Sequence, residues 1–120
     1  MLEILLVIVG GAVGAPSRFL VDRWVQKHLV AHHPQYIPLG TLVVNVLGSA
    51  ALGAVIAEGG AVLTTLAGVG FCGAFTTFST FAAQTDESVR EGRPITAAVN
   101  VVASVVLCVA AFAITWGLLR

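Results

Sequence analysis

The chain has 120 residues, 58% of them hydrophobic and only 10% charged, with six Lys plus Arg balanced by six Asp plus Glu. A soluble domain of this size has about a quarter of its residues charged, so the composition excludes a water-exposed surface and places the chain in a bilayer. Zero net charge offers no basic footprint for a nucleic acid, and no nucleophile, general base or phosphate loop marks an enzyme.

An apolar run of about 20 residues crosses a bilayer as a helix. Four such runs occur, over 2–21, 39–57, 61–83 and 95–119. The expected fold is an all-α integral membrane protein, a single four-helix domain over 1–120. The first run has no basic segment before it, and its glycines and Pro16 lead into Arg18 rather than a cleavage site, so it reads as a retained helix. Gly10 and Gly14 have the spacing that lets helix backbones approach closely, either within the chain or between copies. Four short helices cannot enclose a wide path, and an oligomer, most simply a dimer, is expected.

Arg18 lies about 20 Å along the first helix from Ile4 at 1.5 Å per residue. It is the one charge placed within the membrane, where it snorkels outward, pairs with Asp22, or serves as an attractive charge for an anion. The stretch 22–38 holds charges, two prolines, and His28, His32 and His33. No Cys or carboxylate accompanies these histidines, and a wet loop explains them better than a metal site. Trp24, Tyr36 and Trp116 fall near span ends, where amphipathic rings favour the headgroup zone.

In the second span Thr41, Asn45 and Ser49 are spaced by four, and in the fourth so are Thr96, Asn100, Ser104 and Cys108. A step of four drifts about 40° around a helix, so each set forms a slanting polar stripe. Each stripe lines a narrow path, or its hydroxyls bond to the preceding turn while its Asn binds helices together. The sequence "EGG" at 58–60 reads as a tight turn and "QTDESVREGRP" at 84–94 as a polar loop. Cys72 and Cys108 lie in apolar runs and read as packing residues rather than a disulfide or metal pair.

The third span differs in kind. Gly70 and Gly73 introduce "AFTTFSTF", and two flexible residues before four hydroxyls predict a break in the helix near 73–77. Backbone carbonyls freed there are ligands for a small hard cation such as Na⁺. Phe78 and Phe81 share a face after the break, and aromatic edges carry partial positive charge. Carboxylates are absent from the interiors of the spans, with Glu3 and Glu58 at their ends, so a cation carrier is disfavoured. Hydroxyl and amide donors, ring edges and one cation suit a small hydrated anion.

The segments "GGAVGAPSR", "GTLVVNVLGS" and "GFCGAFTTFSTF", in that order, closely resemble the CrcB/Fluc family of fluoride ion channels over essentially the whole chain. The resemblance implies a multi-pass channel of the bacterial plasma membrane that exports cytoplasmic fluoride passively and so confers fluoride resistance. It also implies an antiparallel dimer with two pores. Asn45, Phe78, Phe81 and Ser104 would line the ion pathway with Thr41 and Thr77, and Arg18 would stand near its mouth. The main-chain carbonyls of Gly73 and Thr76 would hold a structural Na⁺ at the dimer centre. Asn100 and Cys108 depart from the expected phenol or hydroxyl groups, which leaves their part in the polar track open.

Antiparallel pairing joins either two copies of this chain or the chain and an oppositely oriented paralogue. One side carries Arg18, Arg23, Lys27, Arg90 and Arg93 and the other only Arg120, a bias that favours both termini outside. Two other readings are a small multidrug-type antiparallel dimeric transporter, which lacks its carboxylate here, and a structural membrane subunit without transport.

Overall fold

A computed structural model describes residues 1–30 and 38–120. All its regular elements are helical. They are α1 (Leu2–Val25), α2 (Leu39–Glu58), α3 (Ala61–Leu63), α4 (Gly73–Phe75), α5 (Ser79–Arg90) and α6 (Pro94–Leu119), with π-helical segments at Gln26–Val30 and Thr64–Cys72. Among the described residues, four helical stretches are long and apolar enough to cross a membrane, over Leu2–Leu29, Leu39–Glu58, Ala61–Arg90 and Pro94–Leu119.

The molecule is turned inside out relative to a soluble bundle. Ile8, Val9 and Val13 on α1 and Val102, Val105 and Val106 on α6 are exposed, whereas the buried hydrophobic residues are few: Val25, Val44, Cys72, Phe75 and Ala97. Lipid tails are as apolar as these side chains, so close backbone packing and internal hydrogen bonds must hold the helices together. Glycine makes the close packing possible. A methyl group at Gly10 would overlap the Leu66 carbonyl, and one at Gly14 the Phe71 carbonyl, so α1 lies directly on the π-helical segment. Gly10 and Gly14 are therefore covered within the chain. Gly53 on α2 likewise admits Phe112 and Thr115 of α6, and the Thr115 hydroxyl donates to the Ala50 carbonyl at 2.7 Å.

The connections follow from local chemistry. Gly59 ends α2 in the left-handed conformation at φ 75°, making the turn expected of "EGG". Residues 84–94, read from sequence as a polar loop, are helical as far as Arg90. Their charges belong to an exposed helix end, where Arg90 pairs with Asp86 at 2.7 Å. The chain then stops in a Schellman-type turn: Gly92 has φ 76°, its amide donates to the Val89 carbonyl, and the Arg93 amide donates to the Ser88 carbonyl. Pro94 opens α6, a position where its missing N–H costs nothing.

At the membrane ends, Trp24 stacks on His28 at 4.8 Å and Arg120 lies over Trp116 at 4.0 Å. His28 Nδ1 donates to the Trp24 carbonyl. Tyr36 and the other two histidines, His32 and His33, lie outside the described residues.

Gly14→Val should destabilise the protein by about 1–3 kcal/mol, the usual cost of overpacking. Gly11→Ala, whose methyl would meet its neighbours at an ordinary 3.9 Å, should leave the thermal unfolding midpoint in detergent unchanged.

Candidate functional site

Residues 76–78 lie between α4 and α5, outside either helix, and Thr76 is extended at φ −84° and ψ 162°. Extended backbone at membrane depth leaves amide and carbonyl groups without ladder partners, and each unpaired group is costly where water is absent. The Asn45 carboxamide of α2 supplies partners for Thr77. Its Nδ2 donates to the Thr77 carbonyl at 2.9 Å, and its Oδ1 accepts from the Thr77 amide at 2.8 Å. Asn is suited to this because one side chain presents a donor and an acceptor side by side, as a peptide group does.

The Thr77 hydroxyl continues the local network. It donates to Thr80 Oγ1 at 3.1 Å and accepts from the Thr80 amide at 3.2 Å, so it serves the first turn of α5. On the opposite flank, Arg18 Nη1 donates to the Thr76 carbonyl at 3.5 Å. Arg18 therefore turns toward the backbone of the third span rather than pairing with Asp22, whose carboxylate packs against Gly40.

These residues border a cavity of about 390 Å³ between α2, the third span and α6. Asn45, Thr77, Phe78, Phe81 and Ser104 line it, together with Gly73 and Thr76; Thr41 and Arg18 do not. Thr41 is buried instead, at the start of α2. Phe78 and Phe81 sit 5.8 Å apart with their rings tilted by 50°. Phe78 is 78% exposed, so its ring is not held by a packed core. None of the lining residues is charged.

The two polar stripes separate into lining and packing members. Ser49 lines the cavity, and its hydroxyl has no hydrogen-bond partner among the described residues, a feature that the spacing of four from Asn45 already hinted at. On α6, Ser104 and Cys108 face the cavity and Asn100 does not. Neither cysteine forms a disulfide. Several other hydroxyls bond only to the preceding turn, as Ser17 does to Val13 and Thr65 to Ala61. The site therefore offers hydroxyl and amide dipoles and aromatic rings around a space without fixed charge. Such a lining can solvate a small ion, but it contains no nucleophile paired with a base.

Comparison with known proteins shows the family. A family model described as "CrcB-like protein, Camphor Resistance (CrcB)" matches residues 5–116. The chain belongs to the CrcB family. This CrcB chain is 49% identical over 110 residues to "Fluoride-specific ion channel FluC 1" of Nocardia farcinica, covering 91% of this chain and 75% of that protein. It is 40% identical over 126 residues to the protein of the same name from Frankia casuarinae, covering 97% and 95%. It is 41% identical over 113 residues to "Fluoride-specific ion channel FluC" of Shewanella sp. ANA-3, covering 90% and 88%.

In this CrcB chain Asn45→Leu would leave the Thr77 amide and carbonyl unpaired at a cost of about 1–3 kcal/mol each. A marked fall in the unfolding midpoint and faster hydrogen exchange at the Thr77 amide are expected. Ser49→Ala, which breaks no bond, should change neither.

Proposed function

We propose that the protein is a fluoride-selective channel that lets cytoplasmic fluoride leave passively down its electrochemical gradient. One observation carries the reading: Asn45 and Ser49 of α2, Ser104 and Cys108 of α6 and the Phe78–Phe81 pair converge on one uncharged cavity, in a chain similar to proteins named fluoride-specific ion channels. Fluoride is the smallest halide and holds its water tightly. A path that dehydrates it must present donors at every step. The Ser104 hydroxyl, the second Nδ2 hydrogen of Asn45 and the positive edges of Phe78 and Phe81 are the donors available here, and the Thr77 hydroxyl joins them when it releases Thr80. Thr41 extends the track one turn beyond Asn45, and Arg18 draws anions toward its end.

The physiological need follows from acid–base chemistry. HF crosses lipid as a neutral molecule and ionises in a more alkaline cytoplasm, and the anion cannot return through the bilayer. A selective leak in a membrane that is negative inside expels it, and the bacterial plasma membrane is the setting this reading calls for.

The third span acts as a broken helix, a reading supported by the extended Thr76 and the non-helical 76–78. The break has a structural use for Na⁺, held by the carbonyls of Gly73 and Thr76. The Gly73 carbonyl suits such an ion, while at the Thr76 carbonyl Na⁺ would have to displace the Arg18 guanidinium. The Thr77 amide, which an unbroken helix would direct at the Gly73 carbonyl, goes to Asn45 instead, and the donor at the Thr76 carbonyl is Arg18 through a long 3.5 Å bond. When bound, the cation supplies positive charge to these freed oxygens.

A second copy or an oppositely oriented paralogue completes the path in an antiparallel dimer. Support comes from Phe78, Ser79 and Thr80, which are exposed on one chain although hydroxyls at membrane depth need protein or water beside them.

Purified protein in potassium-loaded liposomes should release fluoride when valinomycin sets the voltage, and retain chloride under the same conditions. Ser104→Ala and Phe78→Ala should slow fluoride release by about tenfold or more, the rate effect of losing roughly 1.4 kcal/mol of stabilisation. Vesicles that hold correctly assembled protein yet remain tight to fluoride would overturn the reading.

A further inference from the structure

The cavity accounts for Ser104 and Phe81 but leaves an unexplained polar group behind them. Asn100 is only 2% exposed, lies on the α6 stripe and does not touch the cavity. A buried carboxamide needs partners for both its ends, and here each partner leads back to a lining residue. Asn100 Nδ2 donates to Thr85 Oγ1 at 2.9 Å, and Thr85 Oγ1 donates to the Phe81 carbonyl at 2.8 Å. At the other end, Ser104 Oγ donates to Asn100 Oδ1 at 3.5 Å.

We infer that Asn100 and Thr85 form a strut between α5 and α6 that sets the position of Phe81 and the direction of the Ser104 hydroxyl, making Asn100 a positioning residue and not an ion ligand. This inference rests on the reading of the cavity as an anion path. The two halves of the strut differ in strength. The bonds to Thr85 and Phe81 are short, and they fix the turn of α5 that carries the Phe81 ring relative to the wall of α6. The bond from Ser104 is at the outer limit for a hydroxyl donor. While it holds, the Ser104 hydrogen points away from the cavity. An anion beside Ser104 offers a stronger acceptor, so the hydrogen swings into the path, and Asn100 Oδ1 gives up only its weakest bond. The long distance thus lets Ser104 serve as a donor without leaving a tightly bonded partner orphaned.

The test compares two single variants, Asn100→Leu and Thr85→Val, with the double variant in the fluoride-release assay, after confirming by size-exclusion that each assembles. Each single variant should slow fluoride release by about tenfold, and the double variant should be no slower than the slower single one, because both break the same strut. Thr85→Ser keeps the hydroxyl and should release fluoride at the wild-type rate. With Cys72 and Cys108 replaced by Ala, Ser104→Cys should react with a methanethiosulfonate reagent and block the path, while Asn100→Cys should not react. Wild-type release rates in both single variants, multiplicative losses in the double variant, or ready labelling of Asn100→Cys would each overturn the strut. If Asn100→Leu fails to assemble, Thr85→Val against Thr85→Ser decides the matter alone. Absence of fluoride release from the wild-type protein would instead remove the channel reading on which the strut depends.

Discussion

The structure depends on two hydrogen bonds between one side chain and one peptide. At the depth of residues 76–78 the backbone has left the helix, and the Asn45 carboxamide returns to Thr77 the partners that a ladder would have given it. Without that clasp the extended segment would be costly in hydrocarbon, and the chain would favour closing the helix over the gap. With it, the segment stays extended, α5 starts at Ser79, and Phe78 and Phe81 flank its first turn. The residue that permits the irregular backbone also borders the cavity, so the fold and the proposed ion path share one carboxamide.

Around this clasp, small residues set distances. Gly10 and Gly14 let α1 rest on the π-helical part of the third span, Gly48 makes room for Thr76, and Gly53 brings α2 onto α6. The cavity wall on α6 is held from behind by Asn100 and Thr85, so the lining rests on a second layer of polar contacts and not only on apolar packing.

Much of this was legible in the sequence. Spans follow from the length of uncharged runs, and a step of four placed Asn45 with Ser49 and Ser104 with Cys108 on common faces. Other features escaped for physical reasons. Asn100 sits one step before Ser104 on the same stripe, yet the drift of about 40° per step is enough to carry it off the cavity wall. Thr85 was hidden by its neighbours: the charges after Gln84 suggest a loop, but they decorate the exposed end of α5, and only helical geometry sets Thr85 over Phe81. The glycine pair on α1 has the same spacing whether it meets another copy or its own chain, and pattern alone does not choose. The π-helical winding of Thr64–Cys72 has no marker in periodicity, since it shifts the register by a fraction of a turn.

Arg18 has one further consequence. Its guanidinium meets a peptide carbonyl and, among the described residues, no carboxylate. A dipole can orient a charge but cannot cancel it, so a full positive monopole persists at this part-buried position. The potential it generates biases the local population of mobile ions toward one sign before any contact is made. In the proposed channel, discrimination by valence is thus separable from discrimination by size, the former belonging to the approach and the latter to the rings and hydroxyls beyond it.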